Sequence, residues 1–246
     1  RWNHLFSSKL FMNVTTTFSD YQFSFGSKQD QFNFQINSGI RDVGGKVDFS
    51  YFPNTRHKIK WGADYIYHTF TPTSVSAESD SVVFDTGSAQ QLYSHETALY
   101  LMDEFDVNEK LRINAGLRYS TYSFVGPFTR FQKGDISKPD TSINYSRGDL
   151  IKFYHGLEPR ISARYLLPDK SSIKAGFTYN NQYVHLASLS AVSLPTDIWY
   201  PSTENIKPEI SDQIAVGTSY LLGEDILITW EAWYKWLQNQ VDFIDG

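Results

Sequence analysis

The chain has 246 residues, a formal net charge of −5 and no cysteine, and aromatic residues make up 16% of the sequence. The acidic balance gives no reason to expect a nucleic-acid partner, and the lack of cysteine excludes a disulfide framework and a thiolate metal site. No run of about 18 apolar residues occurs, so the sequence contains no candidate transmembrane helix.

The first part of the chain predicts long strands with irregular phase. Apolar residues alternate along residues 10–18, and the phase slips by one residue before residues 21–25 take it up. Because a one-residue slip turns every side chain to the other face, we expect a β-bulge near Ser19-Asp20. Residues 31–52 fit one very long strand with a second bulge at Gly44-Gly45, although two shorter strands fit them too.

The connections fall into two sets that alternate along the chain, except that the loop near residues 27–30 is short. Tight turns are predicted at residues 7–9, 53–56, 108–110, 168–170 and 223–225, and long polar loops at 72–92, 126–150 and 184–208. A soluble sandwich has no reason to collect its short turns at one end, whereas transmembrane barrels have short periplasmic turns and long extracellular loops. We therefore expect the three long loops on the cell surface.

Residues 152–183 show the strand pattern most clearly. Apolar residues occupy odd positions on both sides of a Pro-Asp turn, while the even positions carry Glu158, Arg160, Arg164 and Lys174. Each arm runs about 12 to 15 residues, against roughly 5 to 6 for a usual strand. Taken alone, this hairpin also fits the solvated sheet of a soluble protein. The connections elsewhere in the chain favour a membrane barrel.

The sequence thus predicts an all-β fold, an antiparallel up-and-down transmembrane β-barrel segment of about ten long strands. We expect residues 1–246 to be part of a single outer-membrane β-barrel domain that is incomplete as supplied. The predicted lipid-facing residues are Ile113, Ala115, Leu117, Ile161, Ala163, Ile173, Ala175, Phe177, Ile214, Val216, Ile228 and Trp230.

Five segments of the chain resemble the barrel of TonB-dependent receptors of the Bacteroidetes type. They are ALYLMDEF at 98–105, LRINAGLRY at 111–119, LEPRISARY at 157–165, LPTDIW at 194–199 and IKPE at 206–209. The resemblance runs from about Ser38 to Gly246. It implies a closed barrel of roughly 22 strands, an N-terminal plug domain inside it and a segment that binds TonB. We find neither plug nor TonB segment in this sequence, so we expect it to be an internal piece of a longer chain.

The resemblance also implies a function and partners. The expected function is the barrel portion of a TonB-dependent outer-membrane receptor that imports a scarce solute, with siderophore, glycan or peptide left open. The expected partners are outer-membrane lipid, the receptor's own plug domain and remaining strands, TonB through a segment outside this chain, and a surface lipoprotein. One alternative is a passive or structural barrel subunit of a larger surface or secretion complex. A secreted carbohydrate-binding module is another.

No catalytic pattern is found, so we expect neither an enzyme nor a cofactor. The six histidines are scattered and show no metal-ligand spacing, so no metal site is predicted either. The predicted ligand-binding residues are Tyr183, His185, Trp199 and Tyr200, whose rings suit stacking on a sugar or an aromatic solute. Alternatively, Trp199 and Tyr200 only fix a rigid loop.

A set of charged residues is predicted to face the barrel lumen or the plug. They are Arg112, Arg118, Glu158, Arg160, Arg164, Lys174, Glu231 and Lys235. Contact with the transported solute is one interpretation, and packing of a plug through salt bridges and water is the other. The second is favoured.

Overall fold

The computed structural model describes residues 1–29, 32–79, 82–85, 90–132, 141–168, 171–187, 198–223 and 226–241. All regular elements within these ranges are β-strands. They are β1 (Trp2–Ser7), β2 (Leu10–Gln29), β3 (Phe32–Tyr51), β4 (His57–Ser79), β5 (Val82–Asp85), β6 (Leu92–Asp106), β7 (Leu111–Val125), β8 (Phe128–Gln132), β9 (Thr141–Tyr145), β10 (Leu150–Leu166), β11 (Ser172–Gln182), β12 (Val184–Ala187), β13 (Ile198–Pro201), β14 (Glu209–Leu222) and β15 (Ile226–Gln238).

Ten of these strands form one antiparallel sheet in the order β1-β2-β3-β4-β6-β7-β10-β11-β14-β15, with the short β5 paired to β4. Every strand therefore lies beside its predecessor in the sheet, which confirms the predicted up-and-down order. Apart from β1, the main strands contain between 11 and 23 residues. Within the described residues β1 and β15 are the two edges, so the sheet is open.

The tight turns follow from local side-chain chemistry. The Asn54 side-chain oxygen accepts hydrogen bonds from the backbone N–H groups of Arg56 and His57, at 2.9 and 3.1 Å. Asn108 does the same for Lys110 and Leu111, both at 2.9 Å. An asparagine that replaces a backbone acceptor in this way stabilises a chain reversal. The centres of two other predicted turns, 169–170 and 224–225, lie outside the described residues.

The two predicted bulges are wrong. Strands β2 and β3 pair in continuous register from Leu10 opposite Tyr51 to Gln29 opposite Phe32. The phase slip in the sequence instead marks a change of face, because the aromatic residues after Asp20 lie on the opposite side of the sheet from Phe18. The register shift in this region is between β3 and β4, near Asn37. The prediction of one very long strand is confirmed.

The predicted long loops contain more strand than expected. Strand β4 continues to Ser79 and pairs with β5 inside the first of them. The second contains the β8–β9 hairpin and the third the β12–β13 hairpin. Polar sequence hid these strands, since a short hairpin of mostly polar residues lacks a clear apolar alternation. Residues 194–197, part of the LPTDIW segment, lie outside the described ranges.

No helix in the described part of the chain is long and apolar enough to span a membrane.

Candidate functional site

The sheet has two chemically distinct faces. One, which we call the aliphatic face, carries exposed apolar side chains such as Leu99, Leu117, Ile161, Ile173 and Val216, each 45 to 57% exposed. All twelve residues predicted to face lipid lie on this face, because the strand registers place them opposite one another. The other side of the same strands we call the charged face.

All eight predicted lumen or plug residues lie on the charged face. The register sets Arg112 opposite Arg164 and Arg164 opposite Lys174. Strands β14 and β15 then place Glu231 opposite Gly217, which is itself opposite Lys174. Successive side chains of a strand point to opposite faces, so the predicted set shares one side of the sheet through periodicity alone.

An ion-pair network crosses the charged face from β3 to β10. His68 Nδ1 lies 2.8 Å from Asp42 Oδ1, and its Nε2 lies 3.7 Å from Glu96 Oε2. Arg118 Nη2 is 3.7 Å from Glu96 Oε1, and Arg118 Nε is 3.7 Å from Glu158 Oε2. Arg118 thereby bridges two carboxylates that come from different strands. These ion pairs connect side chains of five neighbouring strands, β3, β4, β6, β7 and β10.

Glu158 is the buried carboxylate at the β10 end of this network. Its side chain is only 4% exposed, and it faces Arg118 on one side and Arg160 Nη2, at 3.8 Å, on the other. The Ser120 hydroxyl donates a short hydrogen bond to Glu158 Oε1. A buried carboxylate is costly unless it is paired and hydrogen-bonded, and both conditions hold here. Ser120 Oγ also lies 2.7 Å from Tyr183 Oη, so the Tyr183 hydroxyl is the donor in that second bond.

The connection between β11 and β14 folds back over the charged face. Tyr183 stacks on Tyr122 with ring centroids 5.1 Å apart and an interplanar angle of 9°. The backbone N–H of Ser202 donates to Tyr183 O at 2.8 Å, and the Tyr154 hydroxyl donates to Thr203 O at 2.7 Å. These contacts dock the β12–β13 hairpin against the sheet, so this connection does not simply project away from it.

Two of the four predicted ligand residues are buried within the protein. Tyr183 is 2% and His185 3% exposed. Burial raises the pKa of the Tyr183 hydroxyl to about 12. Burial also lowers the pKa of His185. Their rings already contact protein, which favours a structural role for both.

The other two predicted ligand residues keep part of their surface open. Trp199 and Tyr200 lie on β13 opposite Leu186 and His185, and both are half-buried. Tyr200 stacks on His185 at 5.2 Å, which covers one face of its ring. Burial, and then the charge of Glu209, raise the pKa of the Tyr200 hydroxyl. Only the exposed parts of these two rings remain for a ligand.

A hollow of about 390 Å³ lies beside the docked hairpin on the charged face. It brings together Tyr183 and Lys235, which were both singled out from the sequence. The residues that sequence reasoning missed there are Glu96, Asn180, Asn181, Gln182, Glu209 and Ser211. The polar run 180–182 at the end of an alternating strand was the available signal. Amide, carboxylate and ammonium groups of this kind suit hydrogen bonding to a polar solute.

The long connections are also linked to one another. Arg130 of β8 forms an ion pair with Glu204, which follows β13, and its guanidinium lies 5.4 Å from the centre of the Tyr145 ring. Gln90 Oε1 accepts a hydrogen bond from the Thr129 N–H at 3.2 Å. All three long connections therefore contact each other at one end of the sheet.

Among the described residues, no group of three or more His, Asp or Glu side chains is arranged to hold a metal ion. The ion-pair network and the hollow beside the docked hairpin are two chemical features of the charged face. They suit binding and packing.

Comparison with protein families shows a match over residues 1–246 to the family described as TonB dependent receptor-like, beta-barrel. A comparison with curated proteins finds no match.

Several solved structures are similar in fold. The ferric yersiniabactin uptake receptor FyuA from Yersinia pestis aligns with 93% of this chain and 33% of its own, at 10% identity and a TM-score of 0.61. The copper transporter OprC aligns with 93% of this chain and 37% of its own, at 13% identity and a TM-score of 0.61. BauA, the ferric preacinetobactin receptor from Acinetobacter baumannii, aligns with 94% and 35%, at 14% identity and a TM-score of 0.55. The chain spans about a third of the length of these structures.

Proposed function

The chain belongs to the TonB-dependent receptor-like β-barrel family, and from this membership we propose that it is the barrel portion of a receptor that imports a scarce solute across the bacterial outer membrane. The solute class, whether siderophore, glycan or peptide, stays open. The solved structures with a similar fold are those of two receptors and a transporter. The chain's resemblance to the Bacteroidetes type is part of the proposal.

The observation that carries the proposal is the separation of the two sheet faces. One face exposes aliphatic side chains over many strands, and the other holds ion pairs and a polar hollow. A large exposed apolar surface is unfavourable in water, and it suits contact with lipid. We therefore assign the aliphatic face to the membrane and the charged face to the lumen.

The lumen assignment gives the charged residues a role. Arg112 is already neutralised by Asp106 and by Glu104 Oε1 at 3.2 Å. Arg164 and Lys174 extend the basic row across the next two strands. We propose that the plug domain packs against this row through salt bridges and water, and that the solute contacts the hollow near Lys235 and the exposed parts of Trp199 and Tyr200.

The proposal includes partners outside this chain. Import needs a plug to block passive flow and a segment that couples the receptor to TonB, and both belong to the rest of the polypeptide. A surface lipoprotein is proposed to contact the linked long connections, which we place on the cell surface.

Energy dependence is the test of import. Cells that carry the full-length receptor should accumulate its solute, and an uncoupler that removes the inner-membrane proton gradient should abolish that accumulation. In planar bilayers the purified receptor should show no open-channel conductance. Steady conductance together with uptake that is insensitive to the uncoupler would instead support the passive barrel.

A further inference from the structure

The hollow beside the docked hairpin carries charges of both signs. Glu209 lies at the start of β14, opposite Gln182, and is half-buried. Lys235 lies on β15, opposite Gln213 of β14, and is exposed. Both side chains line the hollow. Among the residues that the structure describes, neither the carboxylate of Glu209 nor the ammonium group of Lys235 forms an ion pair. Both charges are therefore available to a solute.

The third charged group of the hollow, Glu96, is occupied within the protein. Its two carboxylate oxygens lie 3.7 Å from Arg118 Nη2 and 3.7 Å from His68 Nε2. Glu96 therefore belongs to the ion-pair network. The unpaired charges that the described residues contribute to the hollow are one anion, Glu209, and one cation, Lys235.

The strand register gives the spacing of these two charges. Glu209 and Gln213 are four residues apart on β14, and Gln213 faces Lys235 across the strand pair. At about 3.4 Å per residue along a strand and about 4.8 Å between strands, the Cα atoms of Glu209 and Lys235 lie roughly 14 Å apart. An extended peptide spans at most about 3.5 Å per residue. A peptide of roughly two to four residues therefore fits between the two charged groups.

Uncharged polar side chains also line the hollow. Asn180 and Ser211 face each other across β11 and β14. Asn180 Oδ1 accepts a hydrogen bond from Arg160 Nη2 at 2.8 Å, which leaves the amide N–H groups of Asn180 for a solute. Gln182 Nε2 donates to Val184 O at 2.9 Å, which leaves Gln182 Oε1 as an acceptor. One amide thus offers donors and the other an acceptor, and the C=O and N–H groups of a peptide need one of each.

We propose that the hollow binds a short peptide through both of its charged termini. The amino terminus pairs with Glu209, the carboxylate pairs with Lys235, and the peptide groups between them bind Asn180 and Gln182. The volume of about 390 Å³ is within the usual range for ligand pockets, about 300 to 1,000 Å³. An anionic siderophore would be repelled by Glu209 and Glu96, and a neutral glycan would leave both unpaired charges unused. The inference names the solute class of the proposed importer and so rests on the proposed function.

Equilibrium dialysis of the purified full-length receptor tests the inference, with mass spectrometry to measure the bound fraction of each ligand. The ligands are a tripeptide mixture with free termini, the same mixture acetylated at the amino terminus, and the same mixture amidated at the carboxyl terminus. The wild-type receptor should bind the free mixture roughly tenfold more tightly than either blocked mixture, since each block removes a charge-assisted hydrogen bond. Maltotriose and ferric citrate, which represent the other two solute classes, should bind more weakly than the free mixture.

Two variants assign each peptide terminus to its side chain. Glu209→Gln should no longer distinguish the free mixture from the acetylated one, and it should keep its preference for a free carboxylate. Lys235→Met should show the converse. The controls Asp212→Asn and Lys207→Gln remove charges that do not line the hollow, so both should bind as the wild type does. The heat-dependent shift in gel mobility identifies any variant that has not folded.

The comparison of ligands on the wild-type receptor decides the inference without any variant. Equal binding of the free and blocked mixtures would overturn it, and so would tighter binding of maltotriose or ferric citrate. Loss of the same preference in both folded variants would overturn the pairing of the termini with Glu209 and Lys235.

Uptake separates this inference from the proposed function. Accumulation of the free tripeptides, maltotriose and ferric citrate in cells is measured with and without the uncoupler. Uncoupler-sensitive uptake of maltotriose or ferric citrate alone would overturn the peptide inference and support the importer. Peptide binding with the expected preferences, but without uncoupler-sensitive uptake of any of the three, would count against the proposed function alone.

Discussion

At the scale of single residues, adjacent positions in one strand have opposite environments. Ala175 lies between Ala163 and Val216 on the aliphatic face, whereas Lys174 lies between Arg164 and Gly217 on the charged face. The same substitution at two adjacent positions should therefore have different effects on the stability of the protein.

The variant Ala175→Arg places a cation on the aliphatic face and should lower the free energy of unfolding by about 2 to 4 kcal/mol if the site is near the bilayer midplane. Lys174→Ala should change it by less than roughly 0.5 kcal/mol, as surface substitutions commonly do. Urea unfolding of the full-length receptor in lipid vesicles measures both. Equal losses would contradict the assignment of the two faces.

His185 gives the docked hairpin a pH dependence. Burial lowers its pKa in the docked state, whereas in the undocked state the pKa is about 6.5. The undocked state therefore binds more protons, so docking is most stable above about pH 6.5 and weakens as the pH falls below that value.

A dye attached at Leu186→Cys, on the hairpin, should report undocking as the pH is lowered from neutral. His185 Nε2 lies 2.9 Å from Ser202 Oγ, so in a His185→Gln background, where the longer amide can keep that bond, the acid transition should disappear. Persistence of the same transition in that background would assign it to another group.

At the scale of elements, the two ends of the sheet differ in what connects the strands. The asparagine-stabilised turns are short, and the long connections carry the β8–β9 and β12–β13 hairpins that contact one another through Arg130 and Glu204. Because antiparallel strands alternate in direction, every long connection emerges at the same end.

Cysteine labelling of intact cells checks this orientation, and the chain has no native cysteine to interfere. Ser142→Cys on β9 should react with a membrane-impermeant maleimide, and Thr55→Cys in a tight turn should not, since both positions are exposed and differ only in their end of the sheet. Ser171, which directly follows the predicted turn at 168–170, would be a poor labelling site in place of Thr55 because it is only 4% exposed. Reaction at Thr55→Cys but not at Ser142→Cys would reverse the orientation.

At the scale of the whole molecule, the sheet has two open edges within the described residues, β1 and β15. An unpaired backbone N–H or C=O group in hydrocarbon costs several kcal/mol, so a strand edge cannot remain open in a membrane. Further strands, from the same polypeptide in our interpretation, must close the barrel.

Residues 1–246 refolded alone in detergent should therefore give heterogeneous association, whereas the full-length receptor should give a single species. Size-exclusion chromatography with light scattering measures both. A closed, monodisperse particle from residues 1–246 would contradict the prediction and remove the main structural support for a larger receptor.

The sequence by itself determined the main strands, the faces of most of their residues and the asparagine-stabilised turns. A period of two places Ile161 and Glu158 on opposite sides of β10 whatever the rest of the chain does. An asparagine at the right turn position acts within three residues of itself. These are local properties, and the structure confirms the all-β antiparallel order that follows from them.

Only the tertiary structure decided which distant residues meet. Asp42, His68, Glu96, Arg118 and Glu158 form one network because the registers of five strands align them, and no local pattern specifies a register between strands tens of residues apart. The same reason explains the wrong bulges, since a phase slip is equally consistent with an extra residue and with a change of face. The burial of Tyr183 likewise depends on Tyr122 and Ser120, both on β7. These contacts require that the connection after β11 folds back over the paired strands β7 and β10.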